Sequence, residues 1–350
     1  MPLTEKKIIN KIIATFDKDY IAEGLGELQN VDKGIKIIKW LDSEVALVSC
    51  EIGFNLIAEH FRIEKPIFIQ HIFPVQVYIT LHDKSSVLQI AEHVVQVNYL
   101  LLDNLSFAIQ TRILQPSISD MKKFEVNNLV AQRLINVNPT LILDVKNPQQ
   151  IVSILSFKNE VYIGISLATS NISNWAGGKR RFAREENQIS RAEFKLLEAI
   201  EYFNIDLPMV TRSALDLGAA PGGWTRVLVK HGYLVYAVDP AALDERMASN
   251  SRVIHIKETS QSFFKSTNLV FDIIVNDMKM DCQDTIKIMG EASNHLSDKG
   301  IAIVTLKLKK GDTLKKIISY IELLKRWYIV SGVRHLFHNR LEVTVYLRKK

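Results

Sequence analysis

From Ala214 to Trp224 the chain reads A-L-D-L-G-A-A-P-G-G-W, and no other stretch restricts the fold as strongly. Leu215 and Leu217 alternate as in a buried strand, and Val227-Leu228-Val229 follows with helical patterning. Between them Gly218, Gly222 and Gly223 lack the Cβ that would keep a ligand away from the backbone. A strand that runs through a glycine turn into a helix is the ligand-binding corner at the C-terminal edge of a parallel sheet.

A dinucleotide corner would have the spacing G-x-G-x-x-G, with the helix amides aimed at a pyrophosphate. Here the spacing is G-x-x-x-G-G, with Ala219 and Pro221 inside the turn, and the strand carries Asp216. A carboxylate there repels a pyrophosphate and suits a cation. S-adenosyl-L-methionine has an ammonium, a sulfonium and no phosphate, and it is the expected cofactor. The next apolar run, Leu234 to Val238, ends at Asp239, about twenty residues on, where an acidic side chain takes ribose hydroxyls. Asp216, Gly218, Ala219, Pro221, Gly222, Gly223, Trp224 and Asp239 are the expected cofactor residues from this region.

With 350 residues, 47% hydrophobic and 23% charged, the chain has ordinary globular composition and room for two or three domains. No apolar run is long enough to span a bilayer, and residues 1–11 are charged and helix-patterned without a signal-peptide core. A cytoplasmic, membrane-free, monomeric protein is expected. Cys50 and Cys282 stand apart, without a Cys/His cluster, so neither a disulfide framework nor a metal site is expected. The net charge of +6 is unevenly placed. Lys179, Arg180, Arg181 and Arg184 form one group, Lys307, Lys309, Lys310, Lys315 and Lys316 another, and Arg348-Lys349-Lys350 a third. Any one of them serves as a solubilising surface, but several around one cofactor corner favour a polyanion.

From about Glu185 the pattern alternates strands with helices. Strands are predicted at Ala214–Leu217, Leu234–Val238, Val253–Ile256, Phe271–Asn276, Ile301–Leu308 and Leu341–Leu347, and helices at Arg191–Phe203, Thr285–Leu296 and Leu314–Trp327. This predicts an α/β class with a doubly wound, Rossmann-like sheet. The N-terminal half reads as α+β: a strand at Ser106–Leu114, a helix at Lys122–Ile135, a strand at Leu141–Val145, and a hairpin over Ile151–Ser166 turning at Lys158-Asn159. Before it, short strands and helices are broken at Pro66 and Pro74. The predicted organisation is an α+β module over 1–80, a second module over 81–170, a basic glycine-containing linker over 171–186 and the α/β domain over 187–350.

Four polar residues are individually ambiguous. Asp277 ends the apolar strand F-D-I-I-V-N-D and is either a turn-capping aspartate or a carboxylate at the ligand edge of the sheet. Lys307 continues the face of Ile301, Ile303 and Thr305, where a lysine either snorkels out or does chemistry. Glu342 shares a face with Thr344 and Tyr346, and Lys195 lies on a helical pattern with Glu198 and Ala199. Taken singly, both read as surface residues.

Taken together, Lys195, Asp277, Lys307 and Glu342 resemble the K-D-K-E tetrad of the FtsJ-like ribose 2'-O-methyltransferases. The resemblance covers roughly 190–350. It rests on S-R-A-E-F-K-L-L-E, on D-L-G-A-A-P-G-G-W and on N-R-L-E-V-T-V. The stretches N-W-A-G-G-K-R-R-F, T-L-K-L-K-K and L-F-H-N-R-L-E-V-T-V are similar to the RlmM-type subgroup, which methylates a cytidine ribose in 23S rRNA. That subgroup carries a THUMP domain, and Phe107–Ile165 with D-V-K-N-P-Q-Q is similar to one. The resemblance implies a S-adenosyl-L-methionine-dependent RNA methyltransferase whose partner is 23S rRNA or a large-subunit assembly intermediate. It makes the tetrad catalytic, adds Asp277 and Glu258 to the cofactor set, and puts Lys179, Arg180, Arg181, Arg184, Lys309 and Lys310 against RNA. Two positions depart from the family: Met278-Lys279-Met280 follows Asp277 where a small residue and proline are common, and Glu258-Thr259 stands where an acid near adenine is expected.

A base methyltransferase acting on rRNA or tRNA is the rival activity, but it would carry N-P-P-Y or a similar motif after the fourth strand, where this chain has N-D-M-K. A catalytically inactive ribosome-assembly factor is the other rival, and the intact tetrad argues against it. For the reaction, Lys307 is expected either to take the hydroxyl proton or to stay charged and stabilise the developing alkoxide. Only about one free lysine in a few thousand is neutral at pH 7, and the surrounding charges push in both directions.

Overall fold

A computed structural model describes residues 10–81, 86–116, 121–210 and 212–350. Most of the N-terminal segment read as helix-patterned, residues 1–9, lies outside them. The chain divides into two units, Met1–Lys179 and Arg180–Lys350. The division falls inside the segment 171–186.

The first unit begins with β1 (Lys11–Phe16), α1 (Ile21–Val31), β2 (Lys36–Asp42), β3 (Val45–Ser49), α2 (Phe54–Ile63) and β4 (Ile69–Pro74). These strands form one sheet in the order β2-β3-β1-β4. Ile12, Ala14, Phe16, Val48 and Ile72 pack with Leu28 of α1 and with Ile57 and Phe61 of α2 in one core. Then follow β5 (Val77–Thr80), α3 (Ser86–Gln96), β6 (Ser106–Pro116), α4 (Lys123–Val137), β7 (Ile142–Leu143), β8 (Gln150–Lys158) and β9 (Glu160–Leu167). They make a second sheet in the order β5-β9-β8-β6-β7. Strand β5 pairs antiparallel with β9, so residues 77–80 join the second sheet rather than the first module to which the pattern had assigned them.

Every residue of β8 from Gln150 to Phe157 is buried, as expected for a strand covered on both faces. One face packs on α3 and α4 through Ile90, Val94, Val126, Val130 and Leu134. The other meets the first sheet through Ile13, Leu47, Phe73, Leu155, Phe157 and Tyr162. The predicted hairpin turn stands at Lys158, which takes a positive φ of 54°.

The second unit runs α5 (Glu193–Tyr202), β10 (Ser213–Leu217), α6 (Gly223–Lys230), β11 (Leu234–Val238), α7 (Glu245–Ala248), β12 (Val253–Ile256), α8 (Ser260–Ser266), β13 (Phe271–Asn276), α9 (Cys282–Ala292), β14 (Leu296–Lys307), α10 (Leu314–Leu324), β15 (Tyr328–Arg334) and β16 (Glu342–Lys349). Its seven strands lie in the order β12-β11-β10-β13-β14-β16-β15. β10, β11, β12, β13 and β14 are parallel, and β16 runs antiparallel to both β14 and β15. The chain leaves β10 toward β12 on one side and returns through β13 on the other. The crevice at the C-terminal ends of β10 and β13 is therefore the topological switch point, where open α/β sheets bind ligands.

Alternation along β13 settles its two faces. Ile273 and Val275 pack with α5 and α6 in the main core, together with Ala214, Val235, Ile301 and Ile303. Asn276 faces the other way, and its amide donates to the Met289 sulfur of α9 at 3.6 Å. The predicted helix over 314–327 ends at Leu324, and β15 follows as a strand the pattern did not reveal. Among the described residues no helix is long and apolar enough to cross a membrane.

Candidate active site

Antiparallel pairing between β14 and β16 sets Lys307 directly opposite Glu342. The Lys307 ammonium donates to Asp277 Oδ1 at 2.5 Å, to Thr305 Oγ1 at 2.7 Å and to Glu342 Oε2. Lys195, on the first turn of α5, donates to Asp277 Oδ2 at 3.0 Å and is ion-paired with Glu342 Oε1 at 2.6 Å. Two lysines and two carboxylates thus alternate in a closed ring. Their side chains are 16% exposed for Lys195 and Asp277, 18% for Lys307 and 5% for Glu342, so the ring opens to solvent only at the ammonium and Asp277 side.

The two local ambiguities resolve in the same direction. The turn after β13 is capped by Asn276, whose Oδ1 accepts from Met278 N–H at 3.0 Å, and this leaves the Asp277 carboxylate free for the lysines. Lys307 turns inward to the ring instead of snorkelling out. Burial pulls the Lys195 ammonium down, but Asp277 and Glu342 outweigh it and raise its pKa above the ordinary value. Burial alone would raise Glu342, yet Lys307 and Lys195 bring its carboxyl down to about 2.

Several supporting residues carried no signal in the pattern. Thr305 donates to Asp277 Oδ1 at 2.7 Å while accepting from Lys307. Its place on the Lys307 face was legible by period-two alternation; its role was not. Asn339 donates to Glu342 Oε1 at 3.3 Å, and its own Oδ1 accepts from Thr344 Oγ1 at 3.1 Å and Leu336 N–H at 2.7 Å. Glu198, one turn beyond Lys195, accepts both Phe337 N–H and His338 N–H at 2.9 Å, tying the loop before β16 to α5. Burial pushes the Glu198 carboxyl up to about 7, against the pull of those two hydrogen bonds.

Beside the ring, the glycine turn joins β10 to α6. Gly218 takes φ 73°, and a Cβ there would lie 2.2 Å from Met278 Cγ, so the residue after Asp277 closes directly on the turn. Gly222 is left-handed at φ 111° and caps α6. A Cβ on Gly223 would lie 2.2 Å from Ser190 Oγ. That hydroxyl is shielded from water and has no hydrogen-bond partner among the described residues. Ser190 belongs to the S-R-A-E-F-K stretch, but its role was not legible from the pattern. Ala219 is buried, and Pro221 is exposed and accepts from Asp244 N–H at 2.9 Å.

Three carboxylates, Asp216, Asp239 and Glu258, stand at or near the C-terminal ends of the neighbouring strands β10, β11 and β12. Asp216 is buried and accepts from Thr225 Oγ1 at 2.6 Å. Burial first, and Asp277 and Asp239 in addition, push its carboxyl up to about 7 against the Thr225 hydrogen bond. Asp239 accepts Ala220 N–H on one oxygen at 3.0 Å and Ala241 N–H on the other at 2.8 Å, so each oxygen keeps a further lone pair. Glu258 follows β12 at the same sheet edge, exposed, and accepts from Ser262 Oγ at 2.8 Å. This donor set suits a cation that also bears hydroxyls.

Trp224 follows the glycine turn on α6. Its side chain lies in the core of the unit, 3% exposed, and its indole N–H donates to Ala192 O at 2.8 Å. It locks α6 to the segment leading into α5. Among the expected RNA contacts, Lys179 pairs with Glu44 at 2.5 Å, Arg180 with Glu201 at 2.9 Å and Lys309 with Asp281 at 2.7 Å. Arg181, Arg184 and Lys310 are exposed.

Residues 188–325 match the FtsJ-like methyltransferase family. That span holds the glycine turn, Lys195, Asp277 and Lys307, and stops short of Glu342. A ribosomal RNA large subunit methyltransferase M of Histophilus somni is 33% identical over 224 residues, covering 59% of this chain and 60% of that protein. The protein of the same description from Shewanella sp. strain ANA-3 is 27% identical over 220 residues, again 59% and 60%. An uncharacterized protein of Methanocaldococcus jannaschii is 28% identical over 185 residues, 51% of each chain. The chain spans 60% of the length of the first two relatives. The residues similar to FtsJ-like methyltransferases all lie in the C-terminal unit.

Proposed function

We propose that this chain transfers a methyl group from S-adenosyl-L-methionine to a ribose 2'-hydroxyl of RNA, the substrate being a cytidine of 23S rRNA, free or in a large-subunit assembly intermediate. The observation that carries the reading is the closed ring of Lys195, Asp277, Lys307 and Glu342 beside a glycine turn flanked by Asp216 and Asp239. A ring of fixed charges suits a reaction in which an oxygen nucleophile loses a proton.

The residues present fit the cofactor. The partnerless Ser190 hydroxyl and the N-terminus of α6 at Gly222 and Gly223 suit its carboxylate. Asp216 and the neighbouring aspartates suit its positive charges, Asp239 its ribose hydroxyls and Glu258 its adenine. When bound, the cofactor supplies an electrophilic methyl whose leaving group is a neutral thioether.

The chain's own residues do the rest. Three acceptors fix the Lys307 Nζ, so an incoming hydroxyl meets an ammonium already oriented by Asp277, Thr305 and Glu342. Lys307 holds an N–H on that oxygen as charge develops, the hydroxyl proton leaves to water on the open side of the ring, and preorganised donors of this kind supply much of the stabilisation in enzymes. Lys195 balances the second oxygen of each carboxylate, and Asn339 holds Glu342 from behind. Holding oxygen and methyl in line supplies a further large share of the acceleration. The N-terminal unit, with its THUMP-like sequence, grips folded RNA through shape and phosphate contacts.

The deciding experiment is transfer of labelled methyl to unmodified ribosomal RNA, followed by alkaline hydrolysis. Label in an alkali-resistant dinucleotide supports ribose methylation; label on a base overturns the mechanism and keeps a methyltransferase. No transfer despite cofactor and RNA binding leaves an assembly factor.

A further inference from the structure

Two stretches separated in sequence, R-R-F at 180–182 and L-F-H-N-R at 336–340, are brought together beside α5. The Phe182 ring lies nearly parallel to Phe194, with centroids 5.8 Å apart and planes 11° apart. His338 sits 5.6 Å from Phe182 and 5.0 Å from Phe194, and Phe337 stands edge-on to His338 at 5.0 Å. The Arg180 guanidinium lies 4.2 Å from the Phe182 centroid, and that of Arg181 5.9 Å from Phe337. All four rings are partly exposed, and none belongs to the core that joins α5 and α6 to the sheet. Exposed Arg181, Arg191 and Arg340 accompany them.

The rings adjoin the charged ring at several points. Phe194 precedes Lys195 on α5. Glu198 of the same helix holds Phe337 and His338 by their backbone N–H groups. The next residue, Asn339, donates to Glu342. Burial, with the charges of Arg191 and Arg180, holds the His338 imidazole below its ordinary pKa, so the ring is uncharged near neutral pH.

We infer that Phe182, Phe194, Phe337 and His338, with Arg180 and Arg181, form a stacking surface for an unpaired nucleotide of the RNA, next to the ribose held at the charged ring. The inference rests on the proposed ribose methylation and adds to it a substrate requirement. Aromatic faces and guanidinium planes take up bases that have left a helix, while guanidiniums also meet the phosphates. A base paired inside a helix offers no free face to these rings. The target therefore lies in or beside a single-stranded segment, and the rings read its neighbour by stacking.

The test uses the full chain and a short single-stranded RNA carrying one 2-aminopurine, whose fluorescence is quenched by stacking. Phe182→Leu and Phe337→Leu keep apolar volume and lose the π face; Phe182→Trp and Phe337→Trp restore one. Binding to wild type with quenching is expected, each Leu variant weakening it about tenfold and each Trp variant recovering it. Cofactor affinity stays at the wild-type value throughout, which guards against misfolding. In methyl transfer the Leu variants raise KM for RNA with little change in kcat. Leu variants that bind and quench like wild type overturn the inference, as does a wild type that binds without quenching. If wild type methylates ribose and the Leu variants keep its KM, the activity stands and the stacking surface falls. If wild type binds and quenches but places methyl on a base, the activity as proposed falls and the surface stands.

Discussion

Lys307 and Glu342 face each other across the β14–β16 ladder, and their side chains close an ion pair that Asp277 and Lys195 complete. Cross-strand register, not proximity in sequence, makes the site. Backbone hydrogen bonds on both strands hold the two groups opposite one another, so little side-chain freedom remains to be lost when substrate binds.

Replacing Lys307 by Ala removes the one group bonded to Asp277, Thr305 and Glu342 together. Turnover is expected to fall by about a hundredfold or more. Cofactor affinity, set at the glycine turn, stays within about twofold of wild type. Single-turnover methyl transfer and calorimetric titration of the cofactor check the two halves. A variant that keeps its rate removes Lys307 from the chemistry.

Glu342 gives a stability signature with a definite sign. Its carboxyl is at about 2 in the folded protein, against about 4.3 in an unfolded chain. A depressed pKa stabilises the fold fully above the unfolded value and progressively less as pH falls from about 4.3 toward 2. Glu342→Gln leaves two partly buried ammonium groups with one carboxylate, and a loss of about 3 kcal/mol is expected at neutral pH. Urea denaturation at a series of pH values should show the gap between wild type and variant narrowing below about pH 4. A gap independent of pH would mean that the ion pairs contribute nothing.

Much of the C-terminal unit is legible in sequence because its signals are local. F-D-I-I-V-N is an apolar run of strand length, and the glycine turn lies wholly within one β-to-α junction. The pairing of Lys307 with Glu342 spans 35 residues and follows from sheet order, which no periodicity encodes. Only resemblance to a family joined the four residues in advance. Strand β15 escaped because its register shifts between Val330 and Gly332, which breaks the alternation a strand would show. The burial of Trp224 was also legible: Trp224, Val227 and Leu228 stand at i, i+3 and i+4, the spacing of one helix face, and all three are in the core. The assignment of residues 77–80 failed for another reason. Val77–Thr80 carries no mark of which sheet it joins, and pairing with β9 decides it.

Asp216 links cofactor binding to pH. Its folded carboxyl is at about 7 without ligand, well above an unfolded aspartate. A raised pKa means that stability is fully present below the unfolded value and is lost as pH rises through about 7. The ligand-free protein is therefore expected to become less stable as pH rises from about 4 to about 7, and Asp216→Asn to flatten that trend. A cationic ligand favours the carboxylate, so below about pH 7 binding releases a proton and affinity falls up to tenfold per pH unit. Calorimetry in two buffers of different ionisation enthalpy measures that proton directly. Absence of proton release would place the positive charges of the cofactor away from Asp216.

RNA affinity should depend steeply on salt. Arg181, Arg184 and Lys310 are exposed, while Lys179, Arg180 and Lys309 sit in ion pairs that phosphates would have to share. Each phosphate neutralised on a single strand releases counterions and steepens the fall of log K with log salt by roughly 0.7. Filter binding across a salt series is expected to give a slope of several units, reduced by about one in Arg181→Ala or Arg184→Ala. A flat dependence would point to a partner other than a nucleic acid.

The Ser190 hydroxyl and the Gly223 backbone compete for the same space, and this makes their roles separable. A Cβ at residue 223 would come within 2.2 Å of Ser190 Oγ, the free end of a small side chain that can rotate away. Gly223→Ala should therefore fold with only a small loss of stability, because the strain relaxes through one rotamer. If the hydroxyl serves the cofactor carboxylate, displacing it costs a hydrogen bond to a charged group, and the cofactor Kd should rise about tenfold. Ser190→Ala removes the same bond without the clash and should give a similar rise. The double variant is then expected to bind no worse than either single one, a strong positive coupling of a kind that distant sites do not show. Additive losses, or a Gly223→Ala protein with wild-type affinity, would show that Ser190 does not touch the cofactor.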